Sequence, residues 1–335
     1  MNHSTFKSFT FGIGLFFTLP LVYGNSSSPS SSDGTLYINK SKTHKVAPVK
    51  YGFHYEEIGM MGEGALHAEL IRNRSFEEAT PPAGLSVKNG LYENVPAPRV
   101  KEKKVFQADP LIGWTTYPLS YTPVFISRTD ENPMSGENKY SMLVNVTEDI
   151  ANHSDALILN RGYYGMNLKT DTSYRLSLFL KNRNYSAPLR VFLVDEWGQR
   201  VSNVIEVNVG NRDWTKYTGE LKPEKNVRRG MFAIQPMSKG QFQIDVVSLF
   251  PSDTWNDGKS VFRKDIVQNL KEFSPSFIRF PGGCIVHGVN EETMYHWKKT
   301  LGPIENRPGQ WSKWAPYYRT DGIGYHEFYE LCEYV

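Results

Sequence analysis

Between residues 173 and 251 apolar and polar residues alternate. In "SYRLSLFLKNR" (173–183) Tyr174, Leu176, Leu178 and Leu180 share one face. In "VIEVNVG" (204–210) Ile205, Val207 and Val209 stand opposite Glu206 and Asn208. "RGMFAIQPM" (229–237) and "GQFQIDVVSLFP" (240–251) continue the series. A period of two residues, cut by regular turns and with almost no helical pattern, predicts an antiparallel β-sandwich over about residues 88–252.

On either side the period changes. "TLYINKSKTHKV" (35–46) reads as a strand or two, and "KYGFHYEEIG" (50–59) as a strand ending on charge and glycine. "GALHAELIRNRSFEE" (64–78) reads as a helix with Leu66, Leu70 and Ile71 on one face, broken by "ATPPAGLSVKNG" (79–90). "SVFRKDIVQNLKEFSP" (260–275) aligns Phe262, Ile266, Leu270 and Phe273 as an amphipathic helix that Pro275 stops. "FIRF" (277–280) comes next as a buried strand, ended by Pro281-Gly282-Gly283. "GIGYHEFYELCEYV" (322–335) is again helical. A helix followed by a buried strand is half of a βαβ unit. The pattern therefore predicts one α/β domain interrupted by a whole β-sandwich and then stopping early. Arg279 is out of place in a buried strand, where a charge needs a partner, so an acid is expected near that strand's end.

The N-terminus has the form of a secretory signal over residues 1–24. Lys7 is followed by an apolar stretch from Phe9 to Tyr23 and by a small residue, Gly24. The stretch is short and broken by Pro20, so it is not read as a membrane span. "NSSSPSSSDG" (25–34) reads as a flexible linker. These features imply a secreted or periplasmic address. The 335 residues suffice for two or more domains. The net charge of +3 gives no argument for nucleic acid or for an anionic membrane. Cys284 and Cys332 are too few for a disulfide framework, and two free thiols are expected. N-x-S/T sequons stand at Asn145, Asn152 and Asn184. Aromatics are numerous, with 7 Trp, 19 Tyr and 19 Phe, which suits a sugar binder and a β-rich core equally well.

Glu56 and Glu57 end a strand, and Gly59, Gly62 and Gly64 lie just beyond. A carboxylate at a strand's C-terminal end can bind sugar hydroxyls; the same pair is also what an ordinary solvated strand end shows. His54 reads as a packed or surface histidine. No cluster has zinc spacing, no glycine-rich loop carries Lys-Ser or Lys-Thr, and no G-x-S-x-G elbow occurs, so no metal and no cofactor is expected. Cys284 lies directly after the Pro-Gly-Gly turn and lacks an evident activating base.

Three blocks, in order, carry a resemblance. "YGFHYEEIGMMGEGALHAELIRNRSFE" (51–77), "IRFPGGCIVHG" (278–288) and "HWKKTLGPIENRPGQWS" (296–312) resemble the α-L-arabinofuranosidases of glycoside hydrolase family 51. "TDGIGYHEFYELCE" (320–333) is similar to the next stretch of that family. The middle resembles an inserted carbohydrate-binding module. The resemblance covers most of residues 35–335. It implies the start of a (β/α)8 TIM barrel over residues 35–87 and 253–335, interrupted at 88–252 by a jelly-roll β-sandwich. A further β-sandwich built from both chain ends is implied as well. It implies retaining hydrolysis of terminal α-L-arabinofuranosyl groups from arabinan or arabinoxylan, which needs two carboxylates roughly 5 Å apart. By the same resemblance Glu56 binds the arabinose hydroxyls and Cys284 lines the sugar pocket, where other branches carry Asn. Arg279 steadies the nucleophile. The acid/base of a Gly-Asn-Glu motif and the nucleophile glutamate are expected beyond Val335, so the chain alone is expected to be inactive.

Two other readings remain open. One is a non-catalytic polysaccharide-binding protein acting through the sandwich, with Trp114, Tyr163, Tyr164 or Trp197 as its platform. The other is a structural secreted remnant. The sequence leaves the oligomeric state open.

Overall fold

The computed structural model describes residues 38–39, 41, 43, 45, 51–78, 87–88, 91–93, 105–107, 109–119, 121–150, 155–288, 291, 294–311 and 318–335. The predicted signal and linker, most of the strands predicted at 35–46, and Asn152 lie outside the described residues. Residues 1–47 form a unit separate from residues 48–335. Within the first unit, Asn39 Oδ1 accepts hydrogen bonds from the Ser41 amide and hydroxyl.

The second unit begins with β1 (Phe53–His54). Three short strands, β2 (Val87–Lys88), β3 (Leu91–Glu93) and β4 (Val105–Gln107), form a small antiparallel sheet. Then come β5 (Trp114–Tyr117), β6 (Val124–Thr129), β7 (Ser141–Val146), β8 (Leu157–Asn160), β9 (Met166–Leu168) and β10 (Tyr174–Asn182). β11 (Pro188–Val194), β12 (Ile205–Asn208), β13 (Thr215–Leu221), β14 (Val227–Gln235) and β15 (Gly240–Pro251) complete the run. They pair as two antiparallel sheets, ordered β13-β10-β15-β7-β6 and β12-β11-β14-β8-β5, with β9 alongside β14. One hydrophobic core takes side chains from both sheets, such as Leu176 and Leu178 of β10 and Phe232 and Ile234 of β14. The alternation makes this core, because every second residue of each strand faces inward. In β10 the residues Tyr174, Leu176, Leu178 and Leu180 are all buried.

After β15 come α1 (Lys264–Phe273), β16 (Ile278–Arg279), the single turn α2 (Cys284–His287), β17 (Gln310–Trp311), β18 (Tyr318–Arg319) and α3 (Tyr325–Tyr334). β16 pairs with β1 in parallel, with His54 opposite Arg279. A second, smaller core joins Leu66, Phe262, Val267, Ile323, Phe328 and Leu331. α1 and α3 sit where the helical periods predict them. Within α1 Val267 is the buried residue, while Phe273 at its end is 61% exposed.

The helix predicted at 64–78 is not formed. A single π-type turn spans Gly62–Leu66, and Gly64 adopts φ +78° with its α-carbon against the Tyr163 ring, where no side chain fits. Beyond it the chain runs irregularly, with Asn73 and Phe76 at positive φ. The apolar residues that suggested one helical face serve two cores instead. Leu66 enters the smaller core, whereas Ile71 and Phe76 enter the core between the sheets. Buried carboxylates hold this path. Glu69 accepts from the Leu249 amide and the Ser248 hydroxyl, and Glu77 from the Lys139 and Tyr140 amides. Burying acids with long-range partners outweighs a modest helix propensity.

Candidate functional site

The site forms where β1 and β16 end side by side. Phe53 N–H donates to Phe277 O at 3.0 Å and Tyr55 N–H to Arg279 O at 2.8 Å, which fixes the register. Alternation then sends Glu56 and Glu57 to opposite faces.

Glu56 turns to the Pro281-Gly282-Gly283 turn. Its Oε1 accepts the Ile285 amide at 3.2 Å, and its Oε2 lies 4.0 Å from His54 Nε2. Its side chain is 13% exposed. The backbone of α2 thus orients this carboxylate and leaves it accessible. Gly282, at φ +145°, makes the approach sterically feasible. Cys284 opens α2, half-buried, with a free thiol.

Glu57 is 4% exposed on the opposite face, where its Oε2 accepts from Tyr55 Oη at 2.8 Å and the Gly62 amide at 2.7 Å. It borders a cavity of about 20 Å³ together with Arg319, Tyr295 and Phe328. Burial, and next the charge of Glu63, push its carboxyl up to about 7. Burial also pushes Glu63 up, but the His67 ring 3.6 Å away, Arg74 and Thr320 outweigh it and bring Glu63 down to about 2. The Thr320 amide and hydroxyl both donate to Glu63 Oε1.

The expectation that Arg279 is buried and paired is corrected. Among the described residues β16 pairs with β1 alone, and the Arg279 side chain is exposed. Among the described residues no carboxylate forms an ion pair with it. Register places it on the same face as His54, so Arg279, His54 and Glu56 share one side of the strand pair.

Two buried arginines carry the pairing that Arg279 lacks. Arg319 of β18 pairs with Asp321, donates to Gln310 Oε1 at 3.0 Å and lies 5.0 Å from the centre of the Tyr295 ring. Arg307 grips Glu327 at the start of α3 with two bonds, of 2.7 and 3.1 Å, and donates to the Gly302 and Asp321 carbonyls. These pairs tie the loop 301–311 to α3. Sequence reasoning missed the Arg307 contacts, because residues 14 to 20 positions apart across irregular loops give no periodic signal. His54 was also underweighted. Its spacing of two from Glu56 in a strand was the available clue. Of the candidate platform aromatics, Trp114 is core, Tyr163 is half-buried with its hydroxyl 3.4 Å from Glu63, and Tyr164 and Trp197 are exposed. Among the described residues no group of three or more His, Cys, Asp or Glu could hold a metal, and no helix is long and apolar enough to cross a membrane.

Residues 269–335 match the family described as the alpha-L-arabinofuranosidase 1 domain. Alpha-L-arabinofuranosidase 1 of Arabidopsis thaliana is 28% identical over 288 residues, which are 84% of this chain and 38% of that protein. The extracellular exo-alpha-L-arabinofuranosidase of Streptomyces chartreusis is 27% identical over 84% of this chain and 31% of its own length. An arabinose-bound family 51 α-L-arabinofuranosidase superposes with a TM-score of 0.70 at 26% identity, covering 88% of this chain and 44% of that one. The chain is similar to the family 51 α-L-arabinofuranosidases. The match is to their N-terminal portion, and the chain spans less than half the length of these relatives. The fold is a mostly-β α/β architecture like that of the family 51 N-terminal region.

Proposed function

We propose that this chain supplies the sugar-holding part of a secreted α-L-arabinofuranosidase acting on arabinan or arabinoxylan with retention of configuration. The observation that carries the reading is the placement of Glu56. It is an oriented, accessible carboxylate at the end of β1, beside the Gly282-Gly283 turn and Cys284. A carboxylate so held accepts hydrogen bonds from vicinal sugar hydroxyls. Cys284 would line the same pocket, and the exposed Arg279 would meet the nucleophile carboxylate.

The proposed division is a signal at 1–24, a linker at 25–34, a barrel start at 35–87 and 253–335, and a carbohydrate-binding-module-like sandwich at 88–252. The parallel pairing of β1 with β16, and the position of α1 before β16, support a barrel start. Retaining hydrolysis uses a proton donor and a nucleophile on either side of one bond. Glu57 cannot join Glu56 in that pair, because it faces the other way and is enclosed. As the family resemblance implies, we place the catalytic pair in polypeptide outside these residues. The chain of 335 residues is expected to release no nitrophenolate from 4-nitrophenyl α-L-arabinofuranoside. Turnover that survives removal of contaminating enzyme contradicts this.

A second reading, polysaccharide binding through the sheets, draws on Trp197 and Tyr164, which are 72% and 80% exposed.

A further inference from the structure

Where the two sheets meet the α/β part there is a cleft of about 660 Å³. Its walls include Gly64 and His67–Leu70, the stretch from Tyr163 into β9 at Asn167, Pro251 at the end of β15 with Asp253 and Thr254 beyond it, and the first turn of α1. It shares no residue with the Glu56 site.

Three features mark it as built for a ligand. Thr254 lines the cleft and is 2% exposed, yet its hydroxyl has no hydrogen-bond partner. A buried hydroxyl left unmatched is destabilising, and a native structure rarely keeps one without a use. Nε2 of His67, also in the wall, is likewise unpartnered. At the rim Tyr164 offers a ring that is 80% exposed.

The charges select the ligand class. The cleft is lined by three basic residues, Lys169, Arg263 and Lys264, and by three acidic ones, Glu69, Asp253 and Asp265. A balanced lining gives a phosphate or a polyanion no net attraction. A neutral, hydroxyl-rich molecule with a flat apolar face matches the unmatched Thr254 hydroxyl, the His67 nitrogen and the Tyr164 ring. We propose that this cleft is a second, non-catalytic saccharide site, which takes a segment of the arabinose-bearing polysaccharide away from the bond being cleaved. The choice of polymer rests on the proposed function; the cleft itself does not.

The test is a calorimetric titration of the full chain with a linear arabino-oligosaccharide and with a xylo-oligosaccharide. Thr254→Val, Tyr164→Ala and Glu56→Gln are compared with the parent. Thr254→Val is expected to weaken binding about fivefold while leaving the melting temperature equal or higher, since it deletes an unmatched buried hydroxyl. Tyr164→Ala is expected to weaken binding about tenfold. In Glu56→Gln the binding event that Thr254→Val and Tyr164→Ala weaken is expected to persist, because the cleft shares no residue with the Glu56 site. Binding that is unchanged in both cleft variants, or absent with both sugars, overturns the proposal. Binding lost only in Glu56→Gln also overturns the cleft, while leaving the proposed function standing.

Discussion

Glu56 rests directly on the α-carbon of Gly282, so closely that a Cβ added there would stand 2.3 Å from Glu56 Cγ. The Glu56 carboxylate and the turn that ends β16 are thus one structural unit. Gly282→Ala adds a methyl at φ +145°, in a region that L side chains rarely adopt, and displaces Glu56. The expected cost is roughly 1–3 kcal/mol in urea unfolding. A loss within experimental error would show that the turn yields freely and does not fix Glu56.

Glu57 makes stability pH-dependent in a defined direction. Its carboxyl rises from the ordinary 4.5 to about 7, chiefly through burial. Between those values the folded chain holds a proton that the unfolded chain has released, so stability falls as pH rises through the window. The contribution is complete below 4.5 and lost above about 7. Glu57→Gln keeps an oxygen for Tyr55 and Gly62 and removes the charge. It is expected to be more stable than the parent at pH 8, by on the order of 2 kcal/mol, and no more stable at pH 4. Denaturation midpoints at both values check this. A difference of the opposite sign at pH 8 would mean that Glu57 is held as a stable anion.

The boundary of the two-sheet domain is also testable. Ile71 and Phe76, at 1% and 0% exposure, fill its core although they precede residue 88. A piece covering 68–252 is expected to exceed 88–252 in stability by about 3 kcal/mol or more, the cost of losing a buried aromatic. Equal stability in chemical denaturation would show that the core closes without them.

That boundary marks where the sequence stops being legible. Strands and helices with a clean period, such as β10, α1 and α3, stand where alternation or a 3.6-residue repeat puts them, because burial on one face imposes the period. The 64–78 segment misleads, since Leu66 and Ile71 serve two cores from an irregular path and Glu69 and Glu77 are buried on long-range partners. Arg279 misleads for the opposite reason. Its apolar neighbours suggested a covered strand, yet among the described residues β16 has one strand beside it, and Phe277 is 51% exposed. At the site, strand alternation alone separated Glu56 from Glu57. The contact of Glu56 with Gly282, and the proximity of His54, needed the pairing of β1 with β16, which joins residues more than two hundred positions apart.

That Glu56 holds the sugar is tested most directly by saturation-transfer NMR of the chain with methyl α-L-arabinofuranoside, parent against Glu56→Gln. Melting temperature serves as the control for folding. A charge-assisted hydrogen bond is worth about 1.5–3 kcal/mol, so the parent is expected to transfer saturation to the sugar and Glu56→Gln to lose at least about tenfold in affinity at equal stability. Equal transfer in both proteins would contradict the assignment of Glu56 to the sugar.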